Sequence, residues 1–125
     1  MAEEKKIILI EDDNFLQDLA AKKLRSIGFN VEVASTGEEG MKKIEEGDFN
    51  LIILDIILPE MGGFEVLEKV KNHENPEISN KPVIMFSNLG QQEEVEKAKE
   101  LGADDYLIKA HFTPNDIADK IQEYL

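Results

Sequence analysis

Apolar residues recur in five short runs along this chain, Ile7–Ile10, Val31–Ala34, Leu51–Leu54, Val83–Phe86 and Tyr106–Ile108. Runs of this kind suit strands buried on both faces. Amphipathic segments lie between them. In the first, Leu16, Leu19, Ala20, Lys23, Leu24 and Ile27 recur at helical spacing, and Gly28 follows as a C-cap. The second runs from about Thr36 to Glu46, with Met41 and Ile44 inward and Gly47 after it. The third starts near Gly63 and carries Phe64, Val66, Leu67 and Val70. The fourth carries Val95, Ala98 and Leu101 and stops at Gly102. The last opens with Thr113 as N-cap, Pro114 at the first helical position and Asp116 in the first turn, and turns Ile117, Ile121 and Leu125 inward. The segment from Asn72 to Pro82, with two prolines, reads as a surface loop. Strands alternating with crossover helices predict an α/β fold, a doubly wound parallel sheet covered on both faces.

A length of 125 residues fits one domain. The predicted last helix ends with the chain, so the expectation is a single domain over 1–125 with no linker to an output domain. There is no cysteine, which removes disulfides and thiolate metal sites and suits a reducing compartment. No apolar run approaches the ~20 residues that span a bilayer, and the start MAEEKK lacks an apolar signal core. A cytoplasmic location is therefore expected. Against 27 acidic residues stand 14 basic ones, a formal net charge of -13. That balance predicts no direct nucleic acid binding and no contact with anionic membranes, since both require a basic face. Most of the acidic residues read as a solvated surface.

The remaining polar residues are informative through their position. In an open parallel sheet, ligands bind beyond the carboxyl ends of the strands, near the point where strand order reverses. Glu11, Asp12 and Asp13 follow the first strand, Asp55 the third, and Ser87 and Asn88 the fourth; Lys109 ends the fifth. Taken singly, each has an ordinary explanation. Asp13 reads first as a helix cap, Ser87 and Asn88 as turn residues, and a lysine at a strand end as a solvated side chain. Together they place carboxylates, a hydroxyl and an amine at one edge of the sheet. Carboxylates in close proximity repel, and a hard divalent cation such as Mg²⁺ relieves that conflict. Asp55 then has the setting of a carboxylate nucleophile toward phosphorus, with Lys109 and Ser87 placed to meet the charge of a transferring phosphoryl group.

At this point the sequence resembles the receiver domain of bacterial two-component response regulators. The motifs are ILIEDD, LIILDIILPEMGGFE, PVIMFS and GADDYLIKA, and the resemblance spans the whole chain. It implies a flavodoxin-like strand order 2-1-3-4-5. It also implies a signalling protein, not an enzyme in the usual sense, in which Asp55 is the phosphoacceptor and forms an aspartyl phosphate. By the same resemblance, Mg²⁺ or Mn²⁺ would be held by Glu11, Asp12, Asp55 and the backbone carbonyl of Ile57. Phosphate would be bound by Ser87, the Asn88 backbone and Lys109. Phosphorylation would draw Ser87 inward and turn Tyr106, biasing the face made by the fourth predicted helix, fifth strand and fifth predicted helix toward a protein partner. Taken alone, Tyr106 reads as a half-buried strand aromatic.

The partners implied are a sensor histidine kinase or histidine phosphotransfer protein in a phosphorelay, a downstream protein target, and a phosphorylation-dependent dimer. In receivers, the side chains two residues after the phosphoacceptor and after the Ser/Thr flank the path of a hydrolysing water. Here they are Ile57 and Leu89, both apolar, which implies slow loss of the phosphoryl group. The chain departs from the family pattern at Ala110, where proline is usual after the lysine, at Asn88, where a small residue is common, and at Gly62, which replaces an Asp. A cis bond before alanine costs about 2.5–4 kcal/mol, which weighs toward trans at Lys109–Ala110 but leaves the isomer, and with it the reach of Lys109, open at the level of sequence.

Three other readings compete. A degenerate receiver would keep the fold as a phosphorylation-independent interaction module, against which Asp55, Lys109 and the acidic pair stand. A flavodoxin-like cofactor binder needs a Ser/Thr/Gly-rich loop after the first strand, where this chain has EDDN. An aspartate-nucleophile phosphatase carries a second Asp two residues after the first, where this chain has Ile57.

Overall fold

The computed structural model describes residues 5–125. Five parallel strands form one sheet: β1 (Lys6–Ile10), β2 (Asn30–Ala34), β3 (Leu51–Leu54), β4 (Val83–Ser87) and β5 (Asp105–Ile108), in the order β2-β1-β3-β4-β5. Six helices connect or flank them: α1 (Asn14–Ser26), α2 (Gly37–Glu46), α3 (Gly63–Lys71), α4 (Pro76–Ser79), α5 (Gln92–Glu100) and α6 (Pro114–Gln122). The strand order reverses at β1, whose neighbours are β2 and β3.

Successive side chains of a strand point to opposite faces. Ile8, Ile10, Ile52, Leu54, Val83 and Met85 therefore join one core layer with Met41, Ile44, Val66 and Leu67 of α2 and α3. Ile7, Leu9, Leu51, Ile53, Ile84 and Phe86 join the other with Ala20, Leu24, Ile117 and Ile121 of α1 and α6. The strands are apolar without alternation because both of their faces are covered.

The caps form as their residue types dictate. Asp13 Oδ1 accepts from Leu16 N at 3.1 Å and starts α1. Thr113 and Asp116 close a reciprocal capping box on α6. Gly28 follows α1 with φ +106°, a conformation that favours glycine.

Three local expectations differ from the structure. The segment from Asn72 to Pro82 contains a one-turn helix, α4, because Asn75 caps Glu77 N, Pro76 stands at the first helical position, and Ile78 is thereby buried in the core. Leu19 and Ile27 are exposed, and Gln17 is buried in the face that α1 turns to the sheet. The Gln17 amide is satisfied there, donating to Glu11 O at 2.8 Å and Ala34 O at 3.2 Å, so a polar residue bridges the ends of β1 and β2. Finally, Leu125 is only half-buried.

The outer edge of β2 is covered by side chains. Asn30 N donates to Lys5 O and Ala34 O accepts from Glu11 N, the residues that flank β1. Two outward carbonyls, Val31 O and Val33 O, accept from the Arg25 guanidinium at 2.7 Å and the Lys43 ammonium at 2.8 Å. Both helices flanking β2 thus occupy acceptors that would otherwise invite strand addition.

At the other edge, Asp105 ties β5 to α6: its Oδ2 accepts from the Tyr124 hydroxyl at 2.8 Å and faces the Lys120 ammonium at 3.3 Å. Burial, and then the hydrogen bond to Asp105, push the Tyr124 hydroxyl up to about 12. A pKa raised on folding contributes stability below the unfolded value near 10, and that contribution is lost as pH rises toward the folded value. Tyr124→Phe is expected to be less stable than the native chain at pH 8, by under about 1 kcal/mol because the site is well solvated. The gap should close between pH 10 and 12. Urea unfolding across that range checks this; a gap constant with pH would contradict it.

Candidate functional site: a carboxylate cluster bridged by a lysine

The ends of β1, β3 and β5 converge at one edge of the sheet. Glu11 N donates to Ala34 O at 3.0 Å and Asp55 N donates to Ile10 O at 3.1 Å, so the ladder continues one residue past each strand and fixes both backbones. Glu11 and Asp55 are buried, at 2% and 6% exposure, while Asp12 beside them is open to solvent. Carboxylate oxygens of Glu11, Asp12 and Asp55 lie within 4.8 Å of one another.

Lys109 leaves β5 into a 3-10 turn (Lys109–His111) and reaches back across the sheet end. Its ammonium donates to Asp55 Oδ2 at 2.7 Å and pairs with Glu11 Oε1. The other oxygens are held by the backbone: Asp55 Oδ1 accepts from Ile56 N at 2.7 Å and Glu11 Oε2 from Asp13 N at 3.1 Å. No peptide bond among the described residues is cis, so Lys109–Ala110, which the sequence left open, is trans, and Lys109 reaches Asp55 from that geometry.

The electrostatics follow from burial. Desolvation raises the Glu11 carboxyl above its usual range, and the nearby Asp55 charge adds to this, while the Lys109 and Asp13 hydrogen bonds oppose it. Burial alone would lower the Lys109 ammonium, but its bonds to Asp55 and Glu11 outweigh that and raise it. The three carboxylates are hard oxygen donors, and one ammonium neutralises only part of their charge. The cluster could hold a divalent metal ion, and its donor set fits Mg²⁺.

The loop after Asp55 folds tightly over the site. Gly63 N donates to Ile56 O at 2.7 Å, and a Cβ on Gly63 would stand 2.0 Å from Asp55 O, so only glycine permits this approach. Ile57 projects outward at 62% exposure. On the other flank Ser87 is buried, its hydroxyl accepting from Leu89 N at 3.3 Å, while Asn88 is exposed and Leu89 half-buried. Tyr106 is half-buried, with its hydroxyl donating to Leu89 O. The structure thus brings Glu11, Asp12, Asp55 and Lys109 into one cluster, and connects Ser87, Leu89 and Tyr106 beside it. The sequence reading missed Gln17, whose amide holds Glu11 O; a glutamine amid the apolar positions of α1 was the only signal for it.

The fold and this edge of the sheet define an α/β receiver. The sequence profile of the response regulator receiver domain matches residues 7–122. The chain belongs to that family, the receivers of two-component signalling systems. It is 36% identical over 106 residues to the transcriptional regulatory protein CusR of Escherichia coli K12, covering 83% of this chain and 44% of CusR. A CheY-like response regulator receiver domain protein from Methanospirillum hungatei superimposes with a TM-score of 0.88 at 35% identity, over 97% of this chain and 93% of that one. The chemotaxis response regulator CheY4 of Vibrio cholerae gives 0.90 at 26% identity, over 98% and 100%.

This chain spans about half the length of the curated relatives it matches, which are named as transcriptional regulators. The expectation of no nucleic acid contact, drawn from the charge of this chain, is therefore not supported for the protein as a whole. Among the described residues, no helix is long and apolar enough to cross a membrane.

Proposed function

We propose that Asp55 accepts a phosphoryl group from a phosphohistidine of a sensor kinase or phosphotransfer protein, within a single receiver domain over 1–125, and that the change is read by a protein partner. The observation that carries this is the Lys109 ammonium bridging Glu11 and Asp55, with Asp12 in the same cluster. In the transfer, an Asp55 oxygen forms a bond to phosphorus as the bond from phosphorus to the donor nitrogen breaks, and the electron pair leaves with the imidazole. Ile56 N steadies one Asp55 oxygen, while Lys109, already on the other, meets the charge of the arriving phosphoryl group. Glu11, Asp12, Asp55 and the carbonyl of Ile57 would hold Mg²⁺ or Mn²⁺. Bound there, the ion would offset the negative charge of the carboxylates and of the phosphoryl oxygens.

Ser87 and the Asn88 backbone would take the remaining phosphoryl oxygens. Tyr106, resting on Leu89 O two residues beyond Ser87, would respond to that movement and alter the α5–β5–α6 face. The intact phosphoacceptor cluster favours this over a phosphorylation-independent module. The relatives named as transcriptional regulators make DNA-bound complexes a reasonable destination for the partner face. Incubation with acetyl phosphate and Mg²⁺ followed by intact mass tests the reading directly, and the same experiment in EDTA tests the metal.

The loop side chains bear on how long the signal lasts. Hydrolysis needs a water in line behind phosphorus, opposite the Asp55 oxygen. By the resemblance to receivers, Ile57 and Leu89 would flank that approach, and neither side chain offers a hydrogen bond to such a water. The expected result is slow loss of phosphate in the native chain and loss at least several-fold faster in Ile57→Asn/Leu89→Glu, followed with Mg²⁺ present. Equal rates would show that water exclusion by these side chains does not set the lifetime.

A further inference from the structure

Glu94 stands in the first turn of α5. Its Oε2 is buried, and among the described residues no hydrogen-bond donor meets it. Native folds rarely keep a buried carboxylate oxygen without a partner. Glu94 lies one turn before Ala98, on the same helix face, and Ala98 is the buried residue of α5. That face packs on the core layer against which Tyr106, Leu89 and Leu101 also rest. Glu94 therefore sits on the face of α5 that carries Ala98, on the same side of the sheet as Tyr106. Tyr106 carries a movable donor, a hydroxyl that in this structure sits on Leu89 O. Burial, then the charges of Glu94 and Asp55, push that hydroxyl above its usual pKa.

We propose that Glu94 is a positioning residue for Tyr106: its buried Oε2 is a second acceptor for the Tyr106 hydroxyl, giving the ring two seats, one on Leu89 O and one on Glu94. The two acceptors belong to different segments. Leu89 lies two residues beyond Ser87, whose hydroxyl accepts from Leu89 N. Glu94 belongs to α5, whose buried residue is Ala98 and whose Lys97 ammonium lies 4.7 Å from the Phe64 ring. Moving the Tyr106 proton from one acceptor to the other exchanges a tie to the end of β4 for a tie to α5, as a two-state element requires. The proposal deepens the switch reading of Tyr106, but its test needs no phosphorylation.

The chain has two tyrosines and no tryptophan, so Tyr124→Phe leaves Tyr106 as the single tyrosine. In that background, with tyrosine labelled at ¹³Cζ, the signal reports the hydroxyl's partner at pH 7 and its ionisation at alkaline pH. Glu94→Ala is expected to displace the pH 7 signal and to lower the ionisation midpoint. Glu94→Gln keeps an acceptor oxygen without the charge, so it should restore most of the pH 7 signal while the midpoint stays low. An unchanged pH 7 signal in Glu94→Ala overturns the proposal. Equal displacement by Ala and Gln also overturns it, because only the charge would then be felt. If Asp55 failed to take up phosphate, these outcomes would stand unaltered, so the two readings fail separately.

Discussion

With acetyl phosphate and Mg²⁺, the native chain is expected to gain the mass of one phosphoryl group, and Asp55→Asn to gain none. Asparagine keeps the size of the side chain and its bond from Ile56 N, so the core edge should survive; it removes the negatively charged oxygen that would attack phosphorus. The effect is all-or-none because the cluster offers no equivalent nucleophile. Glu11 is more deeply buried and shielded by Lys109, and Asp12 stands in solvent without the ammonium beside it. Chelation with EDTA is expected to reduce uptake in the native chain to the level of the variant. A mass gain that persists in Asp55→Asn would reassign the acceptor, and full uptake in EDTA would remove the metal from the account.

Lys109→Met should destabilise the metal-free protein by about 3 kcal/mol at pH 8, as measured by urea unfolding. Among the described residues, Lys109 is the only cation paired with Glu11 and Asp55, and its side chain is about 10% exposed, as is fitting for a buried pair. Removing one partner of such a pair leaves a charge without compensation, which typically costs 3–5 kcal/mol. Part of that cost is relieved by proton uptake at Glu11, whose pKa burial already raises. A folded state that binds the extra proton loses stability as pH rises above the ordinary carboxylate range. The defect should therefore shrink toward pH 5 and be largest at pH 8. Added Mg²⁺ should stabilise the variant more than the native chain, because the ion would take over neutralisation from the missing ammonium. At one hundred times its dissociation constant, such binding adds about 2.7 kcal/mol. A variant within about 0.5 kcal/mol of native at pH 8 without metal would show that the bridge is energetically silent.

The sequence alone determined the order of the strands and of the five longer helices, and the placement of the reactive residues, while the one-turn α4 was read as a loop. Runs such as Leu51–Leu54 are long enough to cross the sheet and apolar enough to be covered on both faces, so their ends could be located to within a residue or two. Once the strands were placed, Glu11, Asp55, Ser87 and Lys109 necessarily stood at carboxyl ends, because a chain is ordered along its length. Caps were equally legible, since Asp13 and Thr113 act on amides only a few residues away.

Tertiary structure alone decided the contacts that depend on distance across the fold. The strand-end position and the GADDYLIKA motif single out Lys109, but residue 109 meets residues 11 and 55 only after β1, β3 and β5 are brought to one edge, so the bridge to both carboxylates is a tertiary contact. The inward face of α1 was likewise undecided by periodicity. Gln17 and Leu19 lie on nearly opposite sides of the helix, so rotating the predicted face by about a quarter turn buries Gln17 beside Ala20, Ala21 and Leu24 and exposes Leu19. The buried carbonyls of Glu11 and Ala34 at the sheet end take the Gln17 amide inward, and Leu19 is left in solvent. The unpaired oxygen of Glu94 was invisible for the same reason: in sequence it is one glutamate among many, and only packing of α5 on Tyr106's side of the sheet buries it.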